Sequence, residues 1–154
     1  MNDSSPKSVF EVDRILVVDD IADNYFMLQA FLEGEGYQVE VAESGRAALA
    51  QIEASPPDLV LLDVMMPQMD GFEVTRQIRQ NERLPFVPIL LVTGYREPTA
   101  AEAFDVGADG FIRKPVDLND LLERVRAILQ PRHAIDRAIY KVKLKFGTIA
   151  GGQS

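Results

Sequence analysis

Four short strand-like runs in this chain each deliver a chemically useful side chain at their carboxyl end. Ile15-Leu16-Val17-Val18 leads into Asp19 and Asp20, and Leu59-Val60-Leu61-Leu62 leads into Asp63. Ile89-Leu90-Leu91-Val92 is followed by Thr93, and Gly110-Phe111-Ile112-Arg113 by Lys114. Apolar runs of this length, separated by helical patterns, read as strands of a parallel sheet buried on both faces. In an open α/β sheet, ligands bind beyond the carboxyl ends of the strands. The pattern therefore gathers three carboxylates, a hydroxyl and an ammonium on one rim, a set suited to a divalent cation and a phosphoryl group.

The stretches between these runs support that architecture. Strand one is expected over 14–18, followed by a helix over 22–35 with Tyr25, Phe26, Leu28, Phe31 and Leu32 near the helical period and Gly34 and Gly36 as stops. Strand two, over 38–42, alternates Val39 and Val41 with Gln38 and Glu40, as an edge strand would. Ser44 is placed to cap a second helix, which Pro56-Pro57 must end. Strand three is expected over 58–62, a third helix over 71–80, strand four over 87–92, a fourth helix over 98–106, strand five over 110–113 and a fifth helix over 118–129. Five βα repeats imply one parallel sheet with helices on both faces.

Composition narrows the function classes. The chain has 154 residues, enough for one domain with its own core. There is no cysteine, so disulfide and thiolate chemistry are excluded. Net charge is −8, unevenly spread. Residues 131–154 hold five cations against Asp136, a net +4, which leaves −12 on residues 1–130. An acidic body argues against nucleic-acid binding by the domain. Apolar stretches fall far short of the ~20 residues that cross a bilayer, and the polar start lacks a signal peptide's apolar core. A cytoplasmic protein that binds neither membrane nor nucleic acid is expected.

Residue chemistry carries the functional reading further. Mg²⁺ takes hard oxygen ligands and keeps several waters, so one or two direct carboxylates suffice. Three neighbouring carboxylates repel one another, and a divalent cation relieves that. An Asp carboxylate can attack phosphorus to give an aspartyl phosphate. Lys114 can neutralise phosphoryl charge, and Thr93 can donate a hydrogen bond to a phosphoryl oxygen. Residue types alone leave open which Asp is the nucleophile.

The fragments RILVVDD, PDLVLLDVMMPQMDG, PILLVTG and GADGFIRKP, in that order and spacing, resemble the receiver domain of two-component response regulators, from about Arg14 to Gln130. That resemblance implies a flavodoxin-like (βα)5 sandwich with parallel strand order 2-1-3-4-5. It implies Asp63 as phosphoacceptor, and a Mg²⁺ site made by Asp20 directly, Asp19 mainly through water, Asp63 and the Met65 backbone carbonyl. Thr93 matches the switch hydroxyl, Lys114 the phosphoryl-binding lysine and Phe111 the aromatic that changes rotamer on activation. Pro115 matches a residue whose preceding bond is usually cis. Met65 and Tyr95 match positions that tune water access to the phosphoryl group. Neither can orient an attacking water, so slow self-dephosphorylation is expected. Phe111 lacks the hydroxyl many relatives carry there.

The expected partners are a sensor histidine kinase or phosphotransfer protein, and a downstream protein met by the helix 4–strand 5–helix 5 surface. A homodimer is a further possibility. The chain is then a phosphoacceptor switch rather than an enzyme in its own right. Two alternatives stand beside it: a receiver-like interaction module that is never phosphorylated, and an aspartyl-phosphate phosphatase. The latter wants a second acid two residues after its nucleophile, where this chain has Met65. Residues 1–13 read as a flexible leader and 14–130 as the receiver. Residues 131–154 read as an extension, helical to about 146 on an Ile135, Ala138, Ile139, Val142, Phe146 face and disordered beyond.

Overall fold

A computed structural model describes residues 11–94 and 100–130. Expectations for residues 1–10, for Tyr95 and for the extension from 131 onward lie outside the described residues. The elements run β1 (Arg14–Val18), α1 (Ala22–Gly34), β2 (Gln38–Ala42), α2 (Gly45–Ala54), β3 (Leu59–Asp63), α3 (Gly71–Gln80), β4 (Ile89–Thr93), α4 (Ala100–Asp105) and β5 (Gly110–Arg113). A final helix, α5, occupies residues 118–130. All strand pairs are parallel, and the order is β2-β1-β3-β4-β5. This is the flavodoxin-like arrangement that the sequence implied.

Alternation of side chains along each strand divides the core in two. Leu16, Val18, Val60, Leu62, Ile89 and Leu91 face α2, α3 and α4, where Ile52, Val74, Ile78 and Ala103 are buried. Ile15, Val17, Leu59, Leu61, Leu90 and Ile112 face α1 and α5, where Leu28, Leu32, Leu121, Val125 and Leu129 are buried. Every residue of β3 and β4 is buried. Strand β2 lies at an edge and alternates as its sequence does, with Val39 buried between exposed Gln38 and Glu40. Burying one leucine side chain contributes roughly 1.5–3 kcal/mol, so these two layers dominate the stability.

Local chemistry sets the helix boundaries. Ser44 Oγ accepts from Ala47 N at 3.1 Å, and Asp70 Oδ1 accepts from Glu73 N at 2.9 Å, each satisfying an orphan amide of the first turn. The two central strands run one residue further at the carboxyl end than their apolar stretches suggested. β3 therefore takes in Asp63, and β4 takes in Thr93. Tertiary pairing extends them, since Asp63 is in register with Val92, and Thr93 with Arg113. Helix α4 is described from Ala100 and ends at Asp105, one residue before its sequence pattern does; positions 98 and 99 of that pattern lie outside the described residues.

Candidate functional site

Strands β1 and β3 are adjacent, with Val18 opposite Leu62, so the residues just after Val18 and at the end of β3 are neighbours in space. Oxygens of Asp19, Asp20 and Asp63 all lie within 4.8 Å of one another. Asp19 and Asp63 are each only 2% exposed, and Asp20 is half-buried. Asp19 Oδ1 accepts from Ile21 N at 2.9 Å, which fixes its orientation as the chain turns into α1. Asp20 Oδ1 is buried without a hydrogen-bond partner among the described residues.

Lys114, following β5, places Nζ 3.0 Å from Asp63 Oδ1. The peptide bond from Lys114 to Pro115 is cis, and Lys114 N donates to Thr93 O at 2.7 Å, which ties the lysine's backbone to the end of β4. The contact with Asp63 is an ion pair, for neither Asp63 oxygen receives a hydrogen bond of good geometry. Burial pushes the Asp63 carboxyl above its usual range. The Lys114 ammonium pulls the other way, Asp19 adds to the rise, and the Met65 amide lowers it in part. The net upward direction means that the nearby ammonium and amide do not fully offset the burial of this carboxylate beside Asp19.

Thr93 is 1% exposed, and its Oγ1 has no hydrogen-bond partner among the described residues. Phe111 is half-buried in β5, packed toward the α2-α3-α4 layer, with the Arg113 guanidinium 5.2 Å from its ring centre. The Met65 side chain is 65% exposed just past β3. The structure thus draws Asp19, Asp20, Asp63 and Lys114 together, with Thr93 on the neighbouring strand end. Phe111 stands three residues back from Lys114, on the strand leading to it.

One residue that shapes this rim was not singled out in the sequence. Gly71 opens α3, and a Cβ there would lie 2.5 Å from the Asp63 carbonyl oxygen and 2.9 Å from Val64 Cα. Its amide donates to Val64 O at 2.9 Å. Only a residue without a side chain lets the β3–α3 loop close over Asp63 this tightly. The signal was available in the Asp70-Gly71 pair, a cap followed by the one residue that permits close approach. Gln68, at φ 71°, takes the left-handed turn of the same loop.

The donor set fits a hard divalent cation. Three carboxylates span a distance one octahedral ion can serve when water carries some of the contacts, and the orphaned Asp20 oxygen is a ligand atom already desolvated. The sequence matches the response regulator receiver domain over residues 15–126. The chain belongs to the response regulator receiver domain family. It is 38% identical over 141 residues to the response regulator PleD of Caulobacter vibrioides, covering 90% of this chain and 31% of PleD. It is 41% identical to the response regulator MprA of Mycolicibacterium vanbaalenii, covering 89% of this chain and 59% of MprA. Each of these curated relatives thus extends well beyond the part this receiver matches. Among solved structures, the chemotaxis protein CheY4 of Vibrio cholerae superposes with a TM-score of 0.71 at 33% identity, over 77% of this chain and all of that one. A CheY-like receiver domain from Methanospirillum hungatei gives a TM-score of 0.73 at 34% identity, over 80% of this chain and 98% of that one. Among the described residues, no helix is long and apolar enough to cross a membrane.

Proposed function

We propose that this receiver accepts a phosphoryl group on Asp63 from a phosphohistidine of a kinase or phosphotransfer protein. The observation that carries the reading is the Lys114 ammonium 3.0 Å from the buried Asp63 carboxylate, beside two further carboxylates that share its space. An Asp63 oxygen attacks phosphorus in line. The new O–P bond forms as the P–N bond to the donor imidazole breaks, and the electron pair leaves with the imidazole nitrogen. Lys114 remains beside the new phosphoryl group and balances its charge. A divalent cation, when bound, would be held by Asp20, Asp63 and the Met65 carbonyl, with Asp19 mainly through water, and would supply further neutralisation of phosphoryl charge.

The unpartnered Thr93 hydroxyl gains an acceptor once a phosphoryl oxygen arrives, which draws β4's end toward Asp63. Phe111 then repacks, and the surface built by α4, β5 and α5 shifts in population toward a shape a downstream protein recognises. Met65 lies open to solvent and cannot activate water, consistent with slow loss of the phosphoryl group. The activity is that of a cytoplasmic phosphoacceptor switch with Mg²⁺ as its ion, not of a turnover enzyme.

Acetyl phosphate supplies the test, since its P–O bond breaks with acetate as leaving group and no kinase is needed. Wild-type chain with Mg²⁺ should gain one phosphoryl mass and keep it for minutes, whereas Asp63→Ala should gain none. Uptake by Asp63→Ala equal to wild type would sink the assignment. No uptake by either would favour the unphosphorylated interaction module.

A further inference from the structure

Strand β5 closes the sheet at one edge, and two of its side chains share a face. Phe111 and Arg113 stand two residues apart, the period at which strand side chains return to the same side. Register sets them beside Leu91 and Thr93 of β4 respectively. Leu91 is buried in the α2-α3-α4 layer, and Phe111 packs against that layer while staying half-buried. The guanidinium of exposed Arg113 turns back along the strand, its carbon 5.2 Å from the ring centre. We propose that Arg113 is a positioning residue of this receiver: its guanidinium latches the Phe111 ring in the resting arrangement, and the ring must leave that latch before the α4-β5-α5 surface changes shape. The second half rests on the phosphoacceptor reading given above; the first half does not.

The chemistry of the ring is the first support. Phenylalanine has no hydrogen-bonding group, so packing and whatever lies on its face choose its rotamer. A guanidinium within about 6 Å of a ring centre is attracted to the negative face of the ring. The second support is what Arg113 leaves undone. Among the described residues it makes no hydrogen bond and no ion pair, so its charge is spent on the ring. Arg79 and Arg124, by contrast, are committed to carbonyls and carboxylates. The third support is the backbone. Arg124 Nη1 of α5 donates to Phe111 O at 3.0 Å, and Arg124 Nε reaches Asp120 at 3.2 Å. With the main chain tied to α5, a change at Phe111 is a change of rotamer, which is what a guanidinium on the ring controls.

Position joins the latch to the rim. Arg113 is in register with Thr93, whose hydroxyl has no partner among the described residues. The ring, the guanidinium and the threonine that answers a phosphoryl group therefore lie along one face of two adjacent strands. The latch also carries a sign. A cation over a ring at an exposed site shifts a two-position equilibrium about two- to fivefold. Removing it raises the repacked fraction by that factor, and a ligand that selects the repacked ring binds tighter by the same factor. Coulomb attraction alone predicts the reverse, because loss of a cation near the acidic rim weakens the binding of an anion there.

Two measurements on the full chain test the latch and its consequence. The first uses no phosphoryl donor. Ring currents move protons that lie over an aromatic face upfield, so the Arg113 δ-protons in wild type should resonate upfield of their position in Phe111→Leu. The same position in both proteins overturns the latch. The second is titration with beryllofluoride, a phosphoryl mimic, in saturating Mg²⁺. Arg113→Met keeps the side-chain length and leaves the core untouched, and it should bind the mimic about two- to fivefold tighter, with Arg113→Lys between it and wild type. In a Phe111→Leu background the same Arg113→Met change should bring no gain. Equal or weaker binding by Arg113→Met overturns the proposal, and so does a gain that survives without the ring. If wild type neither binds beryllofluoride nor gains a phosphoryl mass from acetyl phosphate, the phosphoacceptor reading fails and takes the second half of the proposal with it, while the ring-current signal still decides the latch.

Discussion

The two ends of the sheet both hold charged side chains and use them in opposite ways. At the amino ends of the strands, Arg79 spends its guanidinium entirely on the protein: Nε to Gly107 O at 2.8 Å, one terminal nitrogen to Val87 O at 2.7 Å, the other to Asp109 at 3.0 Å. Asp109 in turn accepts from Ile89 N at 2.8 Å, and Phe86 lies under the guanidinium. Burial pushes the Arg79 pKa down and Asp109 restores part of it. Arg14 plays a similar part nearby, reaching Pro56 O, Ser55 O and Glu40. At the carboxyl ends, by contrast, the buried oxygens Asp20 Oδ1 and Thr93 Oγ1 have no hydrogen-bond partner among the described residues, and Asp63 has only its ion pair with Lys114. Satisfied charge marks a clamp, and unsatisfied charge marks a place kept for something else.

Breaking the clamp should produce the largest thermodynamic effect. Arg79→Ala removes three charged contacts, leaves the Val87 and Gly107 carbonyls without that donor and leaves Asp109 with Ile89 N alone, so unfolding free energy in urea should drop by about 3 kcal/mol. Phosphoryl uptake from acetyl phosphate per folded molecule should be unchanged. A variant as stable as wild type, or one that folds well but takes up no phosphoryl group, would erase the division between the two ends.

The acidic rim should respond to metal where the clamp does not. At a Mg²⁺ concentration tenfold above its Kd, wild type should gain about 1.4 kcal/mol by mass action, and Asp63→Asn much less. In chelator the order reverses. The folded Asp63 pKa is raised, so its ionised form costs stability. That cost is absent below the ordinary carboxylate value and complete once pH exceeds the raised folded value. Asp63→Asn should therefore be more stable than metal-free wild type at pH 7 by about 1 kcal/mol, with the gap closing as pH falls toward 4. A destabilised Asp63→Asn in chelator would mean that the Lys114 pairing outweighs burial.

How much of this the sequence disclosed depends on the range of the interaction. Strand runs, the Ser44 cap, the α3 start and the rim residues were readable because each is a local pattern with a single physical meaning. Strand order came through resemblance, since sequence periodicity carries no information on which strands pair. The Arg79 clamp was not readable at all. Its partners Val87, Gly107 and Asp109 are 8 to 30 residues away, and an arginine in the last turn of a helix looks like any solvated charge. Gly71 fell between, visible as a turn residue but not as the wall of Asp63.

The finest comparison pits two threonines against each other. Thr75 and Thr93 are both buried, at 0% and 1% exposure, and both sit in regular structure. Thr75 Oγ1 donates to Gly71 O at 2.8 Å and so supports the helix that opens against Asp63. Thr93 Oγ1 donates to nothing among the described residues. Replacing each by valine keeps the shape and removes the hydroxyl. Thr75→Val should cost about 1 kcal/mol, the usual net worth of a buried hydrogen bond. Thr93→Val should lie within about 0.5 kcal/mol of wild type or slightly above it, because a desolvated hydroxyl without a partner returns nothing to the fold. Urea denaturation of the two variants side by side reads the difference. Equal losses would mean that Thr93 supports the resting structure as Thr75 does, and its hydroxyl would no longer count as a group held in reserve for a ligand.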